Sequence, residues 1–87
     1  MHAVVVRVTV NDPDAAEREL REQVVPRVSQ APGFVAGYWT RKEDSGLSIV
    51  VFESEEAATR ASEQIPSSVP AAVTLESIDV REIVANA

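Results

Sequence analysis

The chain has 87 residues, a length that allows one domain, spanning 1–87, with a small hydrophobic core. Eight basic against fourteen acidic residues give a net charge of −6, which repels phosphate backbones and anionic lipid, so we expect no nucleic acid and no membrane as partners. The absence of cysteine excludes a disulfide framework, a thiol nucleophile and a thiolate metal site. No signal-like segment opens the sequence and no apolar run approaches the ~20 residues of a membrane span, so we expect a cytoplasmic protein.

The first third of the chain predicts a strand followed by an amphipathic helix. His2 to Val10 is rich in β-branched valine, and the turn-forming residues 11–14 end it. From Pro13 to Ala31, apolar residues recur every three or four positions opposite a charged face. Pro26 lies inside this helix and has no backbone N–H, so we expect a kink or a loosened turn between Glu22 and Pro26.

The rest of the chain predicts two strands, a second helix and a last strand. Phe34 to Lys42 and Leu47 to Glu53 are strands joined by a hairpin turn at 43–46, and Ser54 is a suitable N-cap for a helix that reaches Ile65. A Pro/Ser/Ala loop follows at 66–72, and a long final strand runs from Val73 to Val84. This order predicts an α+β, ferredoxin-like βαββαβ fold, with a four-stranded antiparallel sheet in strand order 4-1-3-2 and two helices on one face.

The strands are apolar on both faces, which predicts a homodimer. Val4, Val6 and Val8 alternate with Ala3 and Val5 in the first strand, and the run 47–52 is also apolar on both sides. Two helices in one layer cover only one face of a sheet, so the other face needs a second copy of the chain. The candidate interface residues are Val5, Arg7, Trp39, Ile49 and Val51.

Two segments carry a resemblance to a known family. Residues 31–39, Ala-Pro-Gly-Phe-Val-Ala-Gly-Tyr-Trp, and residues 51–58, Val-Phe-Glu-Ser-Glu-Glu-Ala-Ala, resemble the antibiotic-biosynthesis-monooxygenase-like members of the dimeric α+β barrel superfamily. The resemblance spans essentially the whole chain, but its motifs are mostly structural. It implies a homodimer whose two sheets face each other, with any ligand pocket between each sheet and its own helices.

Known members of that family include cofactor-free oxygenases of polycyclic aromatic substrates and haem-degrading monooxygenases. The haem-degrading members use an asparagine on the first strand, a tryptophan on the second helix and a histidine that ligates iron. Alignment of the shared motifs places Val6 and Ala61 at the first two positions, and the histidine region is missing. The resemblance therefore implies no haem degradation, and we expect no cofactor and no metal.

The candidate pocket residues are Phe34, Tyr38, Val6, Phe52 and Ala61. Strict alternation places Tyr38 on the same strand face as Phe34 and Ala36. If that face points to the helices, the Tyr38 hydroxyl is the candidate catalytic hydrogen-bond donor; the alternative is a tyrosine that fills core volume. Alternation places Trp39 on the opposite face, where it would anchor the partner subunit.

The charged residues have structural interpretations. Arg7 would lie toward the partner beside the last strand, where Asp79 or Glu76 could pair with it in an interface salt bridge. The acidic set Glu53, Glu55 and Glu56 lies at a helix N-terminus, where the helix dipole already accounts for it.

Two functions of different classes follow. The first is a cofactor-independent monooxygenase, in which a small aromatic or apolar ligand reduces oxygen through its own carbanion. The second is a non-catalytic ligand-binding or structural homodimer. A cavity of ~300 Å³ or more between sheet and helices would favour ligand binding, and a solid core would favour a structural role. A Tyr38 ring outside that space would make the non-catalytic dimer the preferred function.

Overall fold

The chain folds into a four-stranded antiparallel sheet with its helices on one face, as the sequence predicts. A computed structural model describes residues 1–67 and 69–87. The strand order is β2-β3-β1-β4, which is the ferredoxin-like order. The elements in chain order are β1 (His2–Val10), α1 (Pro13–Glu19), a π-helical turn (Leu20–Val24), α2 (Val25–Ser29), β2 (Phe34–Lys42), β3 (Ser45–Phe52), α3 (Glu55–Gln64), a 3-10 turn (Ile65–Ser67) and β4 (Val73–Glu82).

The loops differ from the prediction in detail. The β2-β3 turn consists of only two residues, and Glu43 takes a left-handed φ of 56°, so β3 begins earlier than predicted. The predicted loop 66–72 begins with the end of the 3-10 turn and includes Ser68, which lies outside the described residues. The strand β4 ends at Glu82, two positions before the predicted end at Val84.

The N-terminal helix contains the loosened turn that Pro26 predicts. In a regular α-helix the proline ring would clash with the carbonyl of Glu22, four residues earlier, and no N–H would be present to bond that carbonyl. The backbone widens instead, and the Val25 N–H donates to the Leu20 carbonyl, five residues back. At the start of α1, the Asp12 side chain accepts a hydrogen bond from the Ala15 N–H at 3.2 Å.

The core lies between the sheet and α3. Its buried members are Val4, Val6, Val50, Phe52 and Ala58. The Phe34 ring contacts the Phe52 ring edge to face, with centroids 6.3 Å apart and planes at 83°. The Ser54 hydroxyl caps α3 by accepting from the Ala57 N–H at 3.1 Å, which confirms the predicted helix start.

Candidate functional site

A bulge in β2 decides which of its side chains face the helices. Phe34 lies opposite Phe52, but Ala36 lies opposite Val51, so Val35 is an extra residue in β2. Residues directly opposite in an antiparallel pair share a sheet face, and neighbours along a strand alternate between faces. One inserted residue therefore reverses the alternation of every β2 side chain after it.

The reversal places Trp39 toward the helices and Tyr38 on the outer face. Trp39 lies opposite Ser48, on the helix side, and packs against the core, so its predicted place toward the partner subunit is wrong. Tyr38 lies opposite Ile49 on the outer face and is 63% exposed. The candidate role of its hydroxyl required the helix-facing side and is therefore wrong, and so is the alternative of a tyrosine that fills core volume.

Gly37 provides the space for the indole of Trp39. A Cβ atom on Gly37 would lie 2.7 Å from Cη2 of Trp39, closer than real Cβ contacts allow. The ring therefore lies directly over the glycine, on the helix side of the sheet. A glycine in the middle of a strand often marks a bulge or a close approach, so Gly37 was a sequence signal that β2 departs from regular packing, although it does not identify Val35 as the extra residue.

A cavity of about 510 Å³ lies between the sheet and the N-terminal helical segments. Valines of β1 and β3 form its floor, Trp39 forms part of its wall, and Leu20 and Val24 cover it. Its apolar lining residues are Val6, Val8, Val10, Pro13, Ala16, Leu20, Val24, Val28, Trp39, Leu47, Val50, Ile65, Val69, Pro70 and Val73. The surface is largely apolar, as a binding site for a small organic molecule requires.

Of the five predicted pocket residues, Val6 lines this cavity. Phe52 is fully buried in the solid core, and Phe34 and Ala61 pack against that core. The cavity residues that the prediction missed lie mainly on the N-terminal helix, where Leu20 and Val24 appear in the sequence as ordinary core positions. Periodicity shows which side of a helix is apolar, but it does not show how far the helix stands from the sheet.

The cavity is lined by an unusual share of the basic residues. Among the described residues, three of the eight basic side chains, Arg21, Arg27 and Arg41, line it, whereas Glu17 is the one lining residue among the fourteen acidic side chains. Glu17 forms an ion pair with Arg21 at 2.7 Å. Nη1 of Arg41 donates to the Glu43 carbonyl oxygen at 3.3 Å. The described part of the cavity wall contains neither histidine nor tyrosine, and its one carboxylate, Glu17, is the one paired with Arg21.

The outer face of the sheet carries four of the five predicted interface residues, three of them apolar. Val5 lies opposite Ile49, and Val51 lies opposite Ala3, all on the side away from the core. Ile49 is 37% exposed although it occupies the middle of the sheet. Together with Tyr38, these residues form an apolar outer face.

Arg7 lies on the same outer face, but its predicted ion pair is not formed. A bulge in β4 places Ser77 opposite Arg7 and shifts the residues before it. Glu76 instead accepts a hydrogen bond from the Thr9 hydroxyl at 3.1 Å, and a carboxylate oxygen of Asp79 lies 3.7 Å from an Arg81 nitrogen.

The described residues contain neither a candidate metal site nor a helix that could span a membrane. Within 1–67 and 69–87, no group of three or more histidine, aspartate or glutamate side chains is placed to hold a metal ion. The helices of the described chain are also too short or too polar for one to cross a membrane.

No protein-family model matches the chain, and no curated protein matches it. A dimeric ferredoxin-like protein from an uncultured marine organism is similar in structure, with a TM-score of 0.60 and 12% identity over 99% of this chain and 97% of the other. MhuD, a haem-degrader from Mycobacterium tuberculosis solved with two haems in its active site, gives a TM-score of 0.51 and 22% identity over 97% of this chain and 98% of the other. At these identities the likeness shows the ferredoxin-like fold.

Proposed function

We propose that this protein is a homodimer in which each protomer binds one small apolar or aromatic molecule in the cavity between its sheet and its N-terminal helix. The observation that carries the proposal is the 510 Å³ cavity itself. Its volume exceeds the ~300 Å³ at which a cavity accommodates a drug-sized ring system. Trp39 offers the ligand an aromatic wall, and the valine floor offers an apolar surface.

The outer face supports the dimer. Tyr38 and Ile49 expose apolar surface there, and no element of the described chain covers it. A second copy meeting it face to face would bury this surface. Tyr38 would act as the aromatic anchor between subunits, the role that the sequence predicted for Trp39. The similarity to a dimeric protein of the same fold supports this pairing.

Binding without catalysis is the first function we propose, because Tyr38 was the sequence's one catalytic candidate and lies outside the cavity. Cofactor-independent oxygenation of the bound ligand is the second. It is supported by the apolar wall around Trp39, and it requires a ligand acidic enough to lose its proton to water or to Glu17 before its carbanion passes electrons to oxygen. Oxygen uptake that requires both protein and ligand would establish the second function, and ligand binding without oxygen uptake would establish the first.

Native mass spectrometry of protein purified from its own host tests binding directly. We expect wild type to retain a small molecule at one per protomer. Ala16→Phe places a ring in the cavity and should abolish retention, whereas Ala15→Phe, at the neighbouring half-buried position that does not line the cavity, should preserve it. Equal retention by the two variants would show that the ligand binds elsewhere.

Sedimentation equilibrium tests the dimer. We expect a species of twice the 9.4 kDa protomer mass at micromolar concentration. Ile49→Asp would bury an unpaired carboxylate in the interface at a cost of several kcal/mol, so it should dissociate or unfold the protein. Thr59→Asp adds the same charge at an exposed α3 position and should remain dimeric. A wild-type protein that sediments only at 9.4 kDa would contradict the proposal.

Haem degradation is not part of the proposed function. Val6 lines the cavity with an alkyl side chain, and Ala61 packs against the core with a methyl group. Neither side chain can supply the hydrogen bond or the ring that the haem-degrading members use at these positions. We expect no reductant-dependent bleaching of haem, and a Soret shift followed by such bleaching would contradict this. The cytoplasmic location stays a prediction from the sequence. The same holds for the expectation that neither nucleic acid nor a membrane is a partner.

A further inference from the structure

We infer that the ligand of the cavity carries a carboxylate, which Arg27 and Arg41 bind beside the apolar chamber. This inference rests on the proposed function and names the class of molecule bound. A protein of net charge −6 has more acidic than basic residues to place around any opening, yet the cavity is lined by three arginines and one glutamate.

The three arginines are not equivalent. Arg21 forms an ion pair with Glu17 at 2.7 Å, so its charge is already balanced. Within residues 1–67 and 69–87, neither Arg27 nor Arg41 has a carboxylate within ion-pair distance. The local excess of positive charge therefore belongs to these two side chains.

Arg41 is held beside the aromatic wall of the cavity. It follows Trp39 by two positions on β2 and therefore lies on the same, helix-facing side of the sheet. Its hydrogen bond to the Glu43 carbonyl uses one guanidinium nitrogen and leaves other N–H donors available. Arg27 approaches the cavity from α2. An apolar or aromatic body against Trp39 would thus place an acidic substituent near guanidinium groups.

A guanidinium group favours a carboxylate because its N–H donors match two carboxylate oxygens and its charge does not depend on pH. A neutral analogue of the same shape would keep the apolar contacts and lose this interaction. The overall negative charge of the protein would repel an anion at longer range, so anion selectivity would have to arise from these local arginines.

The test compares two probes of nearly identical shape, anthracene-2-carboxylate and anthracene-2-carboxamide. Trp39 is the only tryptophan and lines the cavity, so energy transfer from it to the anthracene ring reports binding. We expect the carboxylate to bind wild type about tenfold more tightly than the carboxamide. Arg27→Gln and Arg41→Gln should each reduce the preference by about threefold, the range of a partly exposed charge pair.

The control is Arg60→Gln, which makes the same change in net charge on α3, where Arg60 pairs with Glu56 away from the cavity. It should keep the wild-type preference. An Arg60→Gln variant that loses as much preference as the cavity variants would attribute the selectivity to net charge and overturn the inference.

The remaining outcomes separate the two proposals. If both probes bind wild type with equal affinity, the inference fails and the proposed binding function stands. If neither probe binds and the protein from its host retains no small molecule, the proposed function fails and the inference fails with it. If the carboxamide binds more tightly, the inference is overturned directly.

Discussion

The helix-facing side of the sheet has two ends that differ in packing. Under α3 the protein is solid: Ala58 has no exposed surface, and Phe52 is 1% exposed beneath it. Under the N-terminal helical segments it is hollow, and no residue of α1, the π-helical turn or α2 is buried. The same sheet thus supports a packed core at one end and a cavity of about 510 Å³ at the other.

Side-chain size accounts for much of this difference. The helix α3 presents alanines to the sheet, so its backbone can approach closely. The N-terminal helix presents Leu20 and Val24, and on the sheet the Trp39 indole lies across the glycine at position 37. A cavity forfeits dispersion contacts, so the hollow end contributes less to stability than the solid end. The solid end therefore contributes more to stability, and the hollow end is where we propose that a ligand binds.

The largest contrast should come from truncating one large side chain at each end. Phe52→Ala should lower the free energy of unfolding by about 3–5 kcal/mol, because it removes a fully buried ring. Leu20→Ala should cost about 1 kcal/mol, because Leu20 is half-buried and already borders open space. Urea denaturation at one fixed protein concentration measures both. Equal losses would show that the two ends are packed alike.

Enlarging an alanine at each end should have opposite consequences. Ala58→Leu should destabilise the protein by about 1–3 kcal/mol, because no space exists around a fully buried methyl group. Ala16→Leu directs extra carbons toward the cavity and should leave stability unchanged or raise it by up to about 1 kcal/mol. Thermal unfolding followed by circular dichroism compares the two, and a large loss in Ala16→Leu would mean that the cavity is closed to new atoms.

Gly37→Ala should displace the Trp39 indole, which forms part of the cavity wall, and leave the packing under α3 intact. The new methyl group would meet the Trp39 ring, and the end of this side chain can swing away, so we expect a loss of only about 1 kcal/mol. Tryptophan emission should shift to longer wavelength as the indole enters water. Tyr38→Phe, at the next position but on the outer face, should leave the emission maximum unchanged. An unshifted spectrum in Gly37→Ala would place the indole elsewhere.

The smallest contrast concerns the two helix caps. Ser54→Ala should reduce global stability by about 0.5–1 kcal/mol, because α3 is part of the packed core. Asp12→Ala removes an equivalent hydrogen bond from α1, but we expect mainly local fraying there, since α1 buries no residue. Hydrogen exchange should show faster exchange at Ala15 in Asp12→Ala, with protection of the β1 amides retained. Loss of β1 protection would show that α1 unfolds together with the sheet.

The sequence alone determined the features that depend on neighbours along the chain. Runs of β-branched and aromatic residues predicted the strands, the turn residues 11–14 and Ser54 predicted where the helices begin, and Pro26 predicted the loosened turn. Each follows from backbone chemistry within about five residues, and together they fix the element order from which the ferredoxin-like topology follows. The apolar outer face was also predictable at Val5, Ile49 and Val51, because β1 and β3 pair with each other without interruption.

Only the tertiary structure decided the faces of Tyr38 and Trp39 and the existence of the cavity. The bulge at Val35 is defined by the pairing of β2 with β3, a relation between strands that alternation along one strand does not contain. The cavity depends on the distance at which a helix settles over the sheet, which is set by the fit of side chains from several elements at once. The arginines around it appear in the sequence as ordinary surface charges, because their common position arises only when α2 and β2 are packed together.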